Sequence, residues 1–239
     1  MRISDTAARR GIERYLYPLA GIAAATLIFA GFARTFYLRG FFATPALSDL
    51  MWLHGTLNTL WLGLFVVQVT LIANRRPDLH RRVGLVAGFL ILAMIVTNVA
   101  MAIDAGRRGA SPAPGITPLM FMAVPLVDVV VFTSLVGTGL WNRKRRDVHK
   151  RLMLIATLSL MTPAIARIPV ASFHAVGLPA FFGITITAII ICAVIDTIIH
   201  RRLHPAFAWG GGLVILSVPF RIFLAHTEAW SRFASWLIT

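Results

Sequence analysis

The sequence is poor in cysteine, in acidic residues and in charged residues as a whole. Cys192 is the only cysteine among 239 residues, so an intrachain disulfide and a zinc site built on several thiolates are both excluded. Any metal ion must therefore be held by nitrogen and oxygen ligands. Aspartate and glutamate number 9 against 23 lysines and arginines, and charged residues make up only 13% of the chain, about half the share usual in soluble domains.

Apolar residues dominate instead, at 58% of the chain with a mean hydropathy of +0.79. About 20 consecutive apolar residues are needed to cross a bilayer, and the sequence predicts an all-α polytopic bundle of about seven transmembrane helices in a single integral membrane domain, 1–239. Residues 105–115, with glycine, serine and two prolines, indicate a flexible connector. The seven windows are 17–38, 50–73, 83–103, 117–141, 152–173, 180–199 and 206–225, the last interrupted by three glycines and a proline.

Basic residues are distributed unevenly between the connections. Sixteen lie in the N-terminal segment and in the second, fourth and sixth connections, whereas four lie in the others and three, Arg34, Arg167 and Arg221, lie inside windows. Cytoplasmic connections carry the excess of lysine and arginine in membrane proteins, which predicts an N-terminus inside and a C-terminus outside, in the bacterial cytoplasmic (inner) membrane. The basic turns are expected to contact anionic headgroups at the inner face, and no nucleic acid is expected as a partner.

One motif repeats. Residues 74–87 and 142–156 share an asparagine, a basic turn and the pattern Asp-x-His-basic-Arg, which places Asp78 and His80 in one copy and Asp147 and His149 in the other. A looser third version surrounds His200. The orientation rule accounts for the arginines, but not for an aspartate and a histidine at matching offsets. Duplication or a common function is the favoured explanation.

Four histidines are predicted at the inner ends of the helices: His80, His149, His200 and His204. Asp196, His200 and His204 are spaced i, i+4 and i+8, so that they share one face if the sixth helix continues. Carboxylate and imidazole groups together suit zinc, copper or iron, with His80 and His149 as further ligands. The alternative is solvated histidines, with Asp196 paired with Arg201 or Arg202.

The outer ends carry a second set of candidate cofactor-binding residues: His54, His174, His226, Arg167 and Arg221. A charged residue inside a span must be paired or must face a polar cavity, and Asp128 is a plausible partner for one of the two arginines. Haem propionates or a quinone-like headgroup would satisfy the remaining positive charge. The alternative is that the arginines reach the outer headgroups.

Two imidazoles at similar depth on facing helices can bind haem in a helical bundle. The outer layer offers His54 with His174 or His226, and the inner layer offers His80 with His149 or His200. The sequence thus raises the hypothesis of a protein that binds haem b or a transition metal (zinc, copper or iron) and serves respiratory electron transfer or oxidase assembly.

The stretch HKRLMLIA from His149 to Ala156 resembles a signature of small bacterial membrane proteins of haem-copper oxidase maturation. LHRRVG from Leu79 to Gly84 resembles an element of uncharacterised bacterial multi-span families related loosely to cytochrome b561-type bundles. These resemblances imply a helical bundle, a respiratory partner and His80 and His149 as ligands. The topology and the inner histidines also resemble the seven-span zinc hydrolases of the progestin/adipoQ receptor and alkaline ceramidase group. A cofactor-free structural or assembly subunit is the third alternative, and oligomerisation stays open.

Overall fold

The computed structural model describes residues 2–109 and 115–239, with side chains described outside 2–10, 13, 172 and 173. In this part of the chain all the regular structure is helical, which confirms the all-α prediction. Residues 110–114 of the expected connector lie outside the described residues. The helices are α1 (Arg2–Phe32), α2 (Asp49–Ala73), α3 (Pro77–Arg107), α4 (Pro118–Trp141), α5 (Arg146–Ser159), α6 (Thr162–Ile165), α7 (Ala171–Val176), α8 (Leu178–His200), α9 (Pro205–Ala225) and α10 (Glu228–Ile238), with a π-helix at Ala33–Tyr37 and a 3₁₀ turn at Arg39–Phe41.

Six helices are long and apolar enough to cross a membrane: α1, α2, α3, α4, α8 and α9. They occupy six of the seven predicted windows, as expected for a multi-pass membrane protein. The glycine-rich last window forms one unbroken helix, α9. Polar caps and prolines set several helix starts: the hydroxyl of Ser48 accepts the N–H of Met51 before α2, and that of Thr117 accepts the N–H of Met120 before α4.

The fifth window, 152–173, does not form a single helix. Helix α5 ends at Ser159, the short α6 begins at Thr162, and α7 follows after a turn. Pro163 causes the break, because it has no N–H to donate to the carbonyl of Ser159 and its ring clashes with a continuing helix. The hydroxyl of Thr162 lies 2.8 Å from that of Thr185 on α8, which holds the broken segment against its neighbour.

The broken segment lies in the core of the bundle. Leu154 and Ile155 of α5 are fully buried, and α5 packs against α1, α4, α8 and α9. Helix α1 packs alongside α5 and α6 and runs in the same direction. Lys150 lies over the ring of Tyr17, and 14 residues further along α1 a side chain at Gly31 would collide with the carbonyl of Ala164 in α6.

We call the end of the bundle that carries the turns after α2 and α4 the basic end. Helix α10, which no predicted window covers, lies across the opposite end. The indole N–H of Trp230 donates to the carbonyl of Leu119 at the start of α4 (2.7 Å), and Arg107 at the end of α3 donates to the carbonyl of Ile238 (3.0 Å). Hydrogen bonds near both ends of α10 therefore hold it to the start of α4 and to the end of α3.

Candidate functional site

The two copies of the repeat build the same helical hairpin. The side-chain amide of Asn74 donates to the carbonyl of Thr70 at the end of α2 (3.0 Å), and that of Asn142 donates to the carbonyl of Thr138 at the end of α4 (2.9 Å). The backbone N–H of each asparagine donates to the same carbonyl, so each asparagine holds the helix end through two hydrogen bonds to one acceptor. A basic turn follows in both hairpins, and the next helix begins with the Asp-x-His pattern.

The structure brings the repeated histidines together. The imidazole Nδ1 of His149 lies 2.8 Å from the carbonyl oxygen of Gly139, and Nδ1 of His80 lies 3.4 Å from that of Gln68. A carbonyl only accepts hydrogen bonds, so Nδ1 carries a hydrogen in both rings, and in a neutral imidazole Nε2 then carries the lone pair. The ring centroids are 6.4 Å apart at an interplanar angle of 85°. Of the two inner partners expected for His80, the ring of His149 is the one that lies beside it, and the role of the two rings as ligands stays a prediction.

A buried ion pair joins α5 to α8 beside this histidine pair. Arg151 donates through Nε and Nη2 to both carboxylate oxygens of Asp196, at 2.7 to 3.0 Å, and the two side chains are only 2% and 1% exposed. The hydroxyl of Tyr17 lies 3.5 Å from the same carboxylate. The alternative in which Asp196 pairs with Arg201 or Arg202 is therefore wrong.

Sequence reasoning did not identify Arg151 as a buried residue. It counted the residue among the basic flanks that set orientation, and that rule explains a basic residue at this position without reference to a partner. The available signal was its position two residues after a repeated histidine and immediately before the fifth window.

His204 does not share a face with Asp196 and His200. Helix α8 ends at His200, and the next residue, Arg201, adopts a left-handed backbone with φ of 60°. His204 instead caps α9: its Nδ1 accepts the N–H of Ala206 (3.1 Å), and its Nε2–H donates to the carboxylate of Asp147 (3.0 Å). That hydrogen bond lowers the pKa of Asp147 below its ordinary value. The predicted i, i+4, i+8 face is corrected at His204 because the chain turns before reaching it.

The expected inner metal ligands therefore separate into groups. His80 and His149 form one pair, Asp196 binds Arg151, and Nδ1 of His200 lies 2.9 Å from the backbone carbonyl of Asp196 in its own helix. In the described parts of the chain, no group of three or more His, Cys, Asp and Glu side chains is arranged to hold a metal ion.

Among the outer candidates, Arg221 has the partner that the sequence suggested. Its Nη1 donates to Asp128 on α4 at 2.7 Å, its Nη2 and Nε donate to the hydroxyl and carbonyl of Ser217, and its guanidinium lies 4.3 Å from the ring centroid of Phe182. The prediction that Asp128 pairs with one of the two arginines is confirmed. This second ion pair, between the buried Arg221 and the part-buried Asp128, joins α4 to α9.

The other outer candidates contact their own segments, and two of them also reach a neighbouring helix. Arg167 donates to the carbonyl of Pro163 (2.8 Å), and its guanidinium lies over the ring of Phe32 on α1. His54, His174 and His226 each contact a residue of their own segment, and the ring of His174 also packs edge-on against Phe181 of α8. Within the described residues, no hydrogen bond or ring contact joins these three histidines. The outer pairings of His54 with His174 or His226 thus receive no support from the geometry.

Comparison with protein-family models, with curated proteins and with solved structures found no match. The interpretation of the site depends on its own geometry. Two features of the basic end could take part in chemistry. One is the pair of imidazoles of His80 and His149, whose Nδ1 atoms bond backbone carbonyls and whose Nε2 atoms are left for another partner. The other is the Arg151–Asp196 ion pair, which fixes α5, the helix that carries His149.

Proposed function

We propose that all seven apolar segments cross a bacterial inner membrane, with the N-terminus inside and the C-terminus outside. The position of α5 and α6 beside α1 supports the fifth crossing. Lys150 contacts Tyr17 and Ala164 contacts Gly31, so α5 and α6 together run alongside 14 residues of α1. Fourteen helical residues span about 21 Å. Its irregular backbone is packed among other helices, where membrane proteins tolerate such breaks. The sixteen basic residues at one side support the orientation.

We propose further that the protein binds haem b between His80 and His149 and serves respiratory electron transfer or oxidase assembly. The proposal depends on one observation, which is that the imidazole rings of His80 and His149 lie next to each other. Two rings that bind one ion from opposite sides, each at a metal–nitrogen distance of about 2 Å, have centroids about 6 Å apart. The observed separation is 6.4 Å, and a carbonyl partner at Nδ1 is the usual device that orients a ligating histidine.

Haem fits this pair better than zinc does. Haem iron needs only two axial ligands from the protein, whereas zinc sites use three or four protein ligands. The carboxylate of Asp196 is bound to Arg151, and both ring nitrogens of His204 have hydrogen-bond partners. Arg81, which is exposed and adjacent in sequence to His80, is a source of positive charge for the haem propionates. The seven-span hydrolase alternative is therefore the weaker one.

The test is an absorption spectrum of the protein purified from membranes, before and after reduction, together with elemental analysis for iron, copper and zinc. We expect a Soret band that shifts on reduction and iron near one per chain. His80→Asn and His149→Asn should each abolish the band, because asparagine keeps an N–H near the Nδ1 position and lacks Nε2. His226→Asn, at a histidine with only a local contact, is the matched control and should keep it. Stoichiometric zinc without colour would replace haem by the hydrolase alternative, and a metal-free protein would overturn both.

A further inference from the structure

Six long helices form a ring around α5 and α6, with neighbouring pairs α1–α2, α2–α3, α3–α4, α4–α9, α9–α8 and α8–α1. Helix α5 fills the centre only in the half at the basic end: a side chain at Gly139 of α4 would meet Leu152 and Met153, and α5 ends at Ser159. After the break, α6 packs on α1 and α8. In the described part of the chain, no central helix therefore continues beside α2, α3, α4 and α9.

Two asparagines face this part of the centre from α2 and α3. Asn58 precedes the buried Trp61 by three residues, and Asn98 follows the buried Met94 by four, so each lies on the inward face of its helix. Both are nevertheless partly exposed. Each side-chain amide donates to a carbonyl of its own helix, at 2.8 Å and 2.7 Å. No hydrogen bond among the described residues uses the two amide oxygens, which are thus left as acceptors.

Asp128 faces the same part of the centre from α4. It precedes the buried Phe132 by four residues, yet its side chain is 29% exposed. One carboxylate oxygen accepts a hydrogen bond from Arg221 at 2.7 Å, and no described residue donates to the other. The exposure of a side chain on an inward face indicates a space in the packing.

Asn58 and Asp128 lie at one level. The ring centroids of Trp61 and Phe132 are 5.3 Å apart, and the two polar residues precede these rings by three and four positions on helices that both run toward the basic end. Each therefore lies about 5 to 6 Å from the ring contact, on its far side from the basic end. The indole N–H of Trp61 is buried and has no hydrogen-bond partner among the described residues, so one donor is also left open here.

Asn98 lies at the same level. A side chain at Gly106 of α3 would collide with Met122 of α4, and from this contact Asn98 is eight residues, and Asp128 six residues, toward the basic end. The two positions differ by about 3 Å along the bundle. We call the space that these side chains bound the chamber, and its boundary residues are Asn58, Asn98, Asp128 and Arg221.

We propose that the chamber binds a dihydroxy aromatic ring of the quinol type. Arg221 neutralises Asp128, and Arg167 lies over Phe32 of α1, on the opposite side of the ring of helices, so the chamber favours a neutral ligand. Open acceptors on three helices select a ligand with hydroxyl donors at both ends. One hydroxyl donates to Asp128, the other donates to an asparagine oxygen, and one of them accepts the N–H of Trp61. A sugar would leave further hydroxyls unpaired against the aromatic rings, which is unfavourable.

Isothermal titration calorimetry of the purified protein with trimethylhydroquinone under argon tests the proposal. We expect one saturable site per chain, and the dimethyl ether of the same ring, which lacks both hydroxyl donors, should bind more weakly by about tenfold or more. Asn58→Leu combined with Asn98→Leu removes two acceptors, leaves the Arg221–Asp128 pair intact and should weaken binding by about tenfold. Thr187→Val, at an exposed polar position of α8, is the control and should keep the affinity.

Thermal unfolding separates loss of the site from misfolding. Trimethylhydroquinone should raise the melting temperature of the unmodified chain, because a ligand of the native state stabilises it. Trp61→Phe keeps an aromatic ring in the core, so it should melt near the unmodified chain without ligand and lose most of the rise with ligand. No saturable binding, equal affinity for the dimethyl ether, or full affinity in Trp61→Phe would each be incompatible with the proposal.

The proposal does not depend on haem binding. Asp128 is 11 residues from Gly139, whose carbonyl contacts the ring of His149, and this separation is about 16 Å along α4. His80→Asn should therefore keep the affinity for trimethylhydroquinone whether or not the unmodified protein carries haem. The two proposals thus fail separately.

Discussion

Removing one partner of the Arg151–Asp196 pair should destabilise the bundle more than any other single charge deletion at the basic end. Three hydrogen bonds of 2.7 to 3.0 Å join the two side chains, and both side chains are almost completely buried. Deleting either group leaves an uncompensated charge at the junction of α5 and α8. The double replacement Arg151→Met with Asp196→Leu leaves none.

The expected magnitudes follow from burial. Each of Arg151→Met and Asp196→Leu should lower the free energy of unfolding by about 3 to 5 kcal/mol. The double replacement should cost less than the sum of these two effects, by a coupling energy of about 2 to 3 kcal/mol. The exposed pair Glu228–Arg232, with side chains 88% and 81% exposed, is the control, and Glu228→Ala should change stability by less than about 0.5 kcal/mol.

Equilibrium unfolding with sodium dodecyl sulfate in mixed micelles, followed by circular dichroism and tryptophan fluorescence, measures these differences. Coincident transitions by the two probes are required before free energies are compared. The reasoning would be refuted if the single variants at Arg151 and Asp196 stayed within about 1 kcal/mol of the unmodified protein, or if their effects simply added.

Three further outcomes are expected. Gly31→Ala should lower the melting temperature sharply, because its Cβ would meet a carbonyl of α6, whereas Gly88→Ala, at an exposed helix position with open space, should leave it unchanged or raised. The lowered pKa of Asp147 stabilises the fold above the ordinary aspartate pKa of about 4, so stability should fall as pH drops through the lower folded value, and His204→Ala should remove that dependence. Lys144→Cys, in a chain whose native cysteine is replaced by serine, should react with an impermeant maleimide only from the cytoplasmic side.

Hydropathy was sufficient to predict six helices and insufficient for the seventh segment. The window at 152–173 is long and apolar enough to be predicted as a span, and hydropathy does not register that Pro163 removes a backbone donor. The break persists because the bundle surrounds it: Thr162 meets Thr185, and the carbonyl of Ala164 fits against Gly31. Both contacts link residues far apart in sequence, so no local pattern predicts them.

The repeat was the most informative signal for the site. Matching offsets of His80 and His149 correctly predicted that the two rings lie at the same level, and the pairing followed once the hairpins packed side by side. The spacing of Asp196, His200 and His204 was less informative, because it presumed a helix that continues past His200. Pro205 signalled the helix start that follows, but the left-handed turn at Arg201 could not be read from residue types.

The two copies of the repeat also show why similar sequence does not lead to similar surroundings. Arg82 and Arg151 both stand two residues after the repeated histidine, yet Arg82 is exposed and Arg151 is buried. The difference comes from the neighbours: α8 packs on α5 and supplies Asp196, so that the second copy lies inside the bundle. Helix α3 has no such carboxylate at Arg82 among the described contacts. The repeated motif accounts for the paired imidazoles, and the later helices of the chain determine which arginine becomes structural.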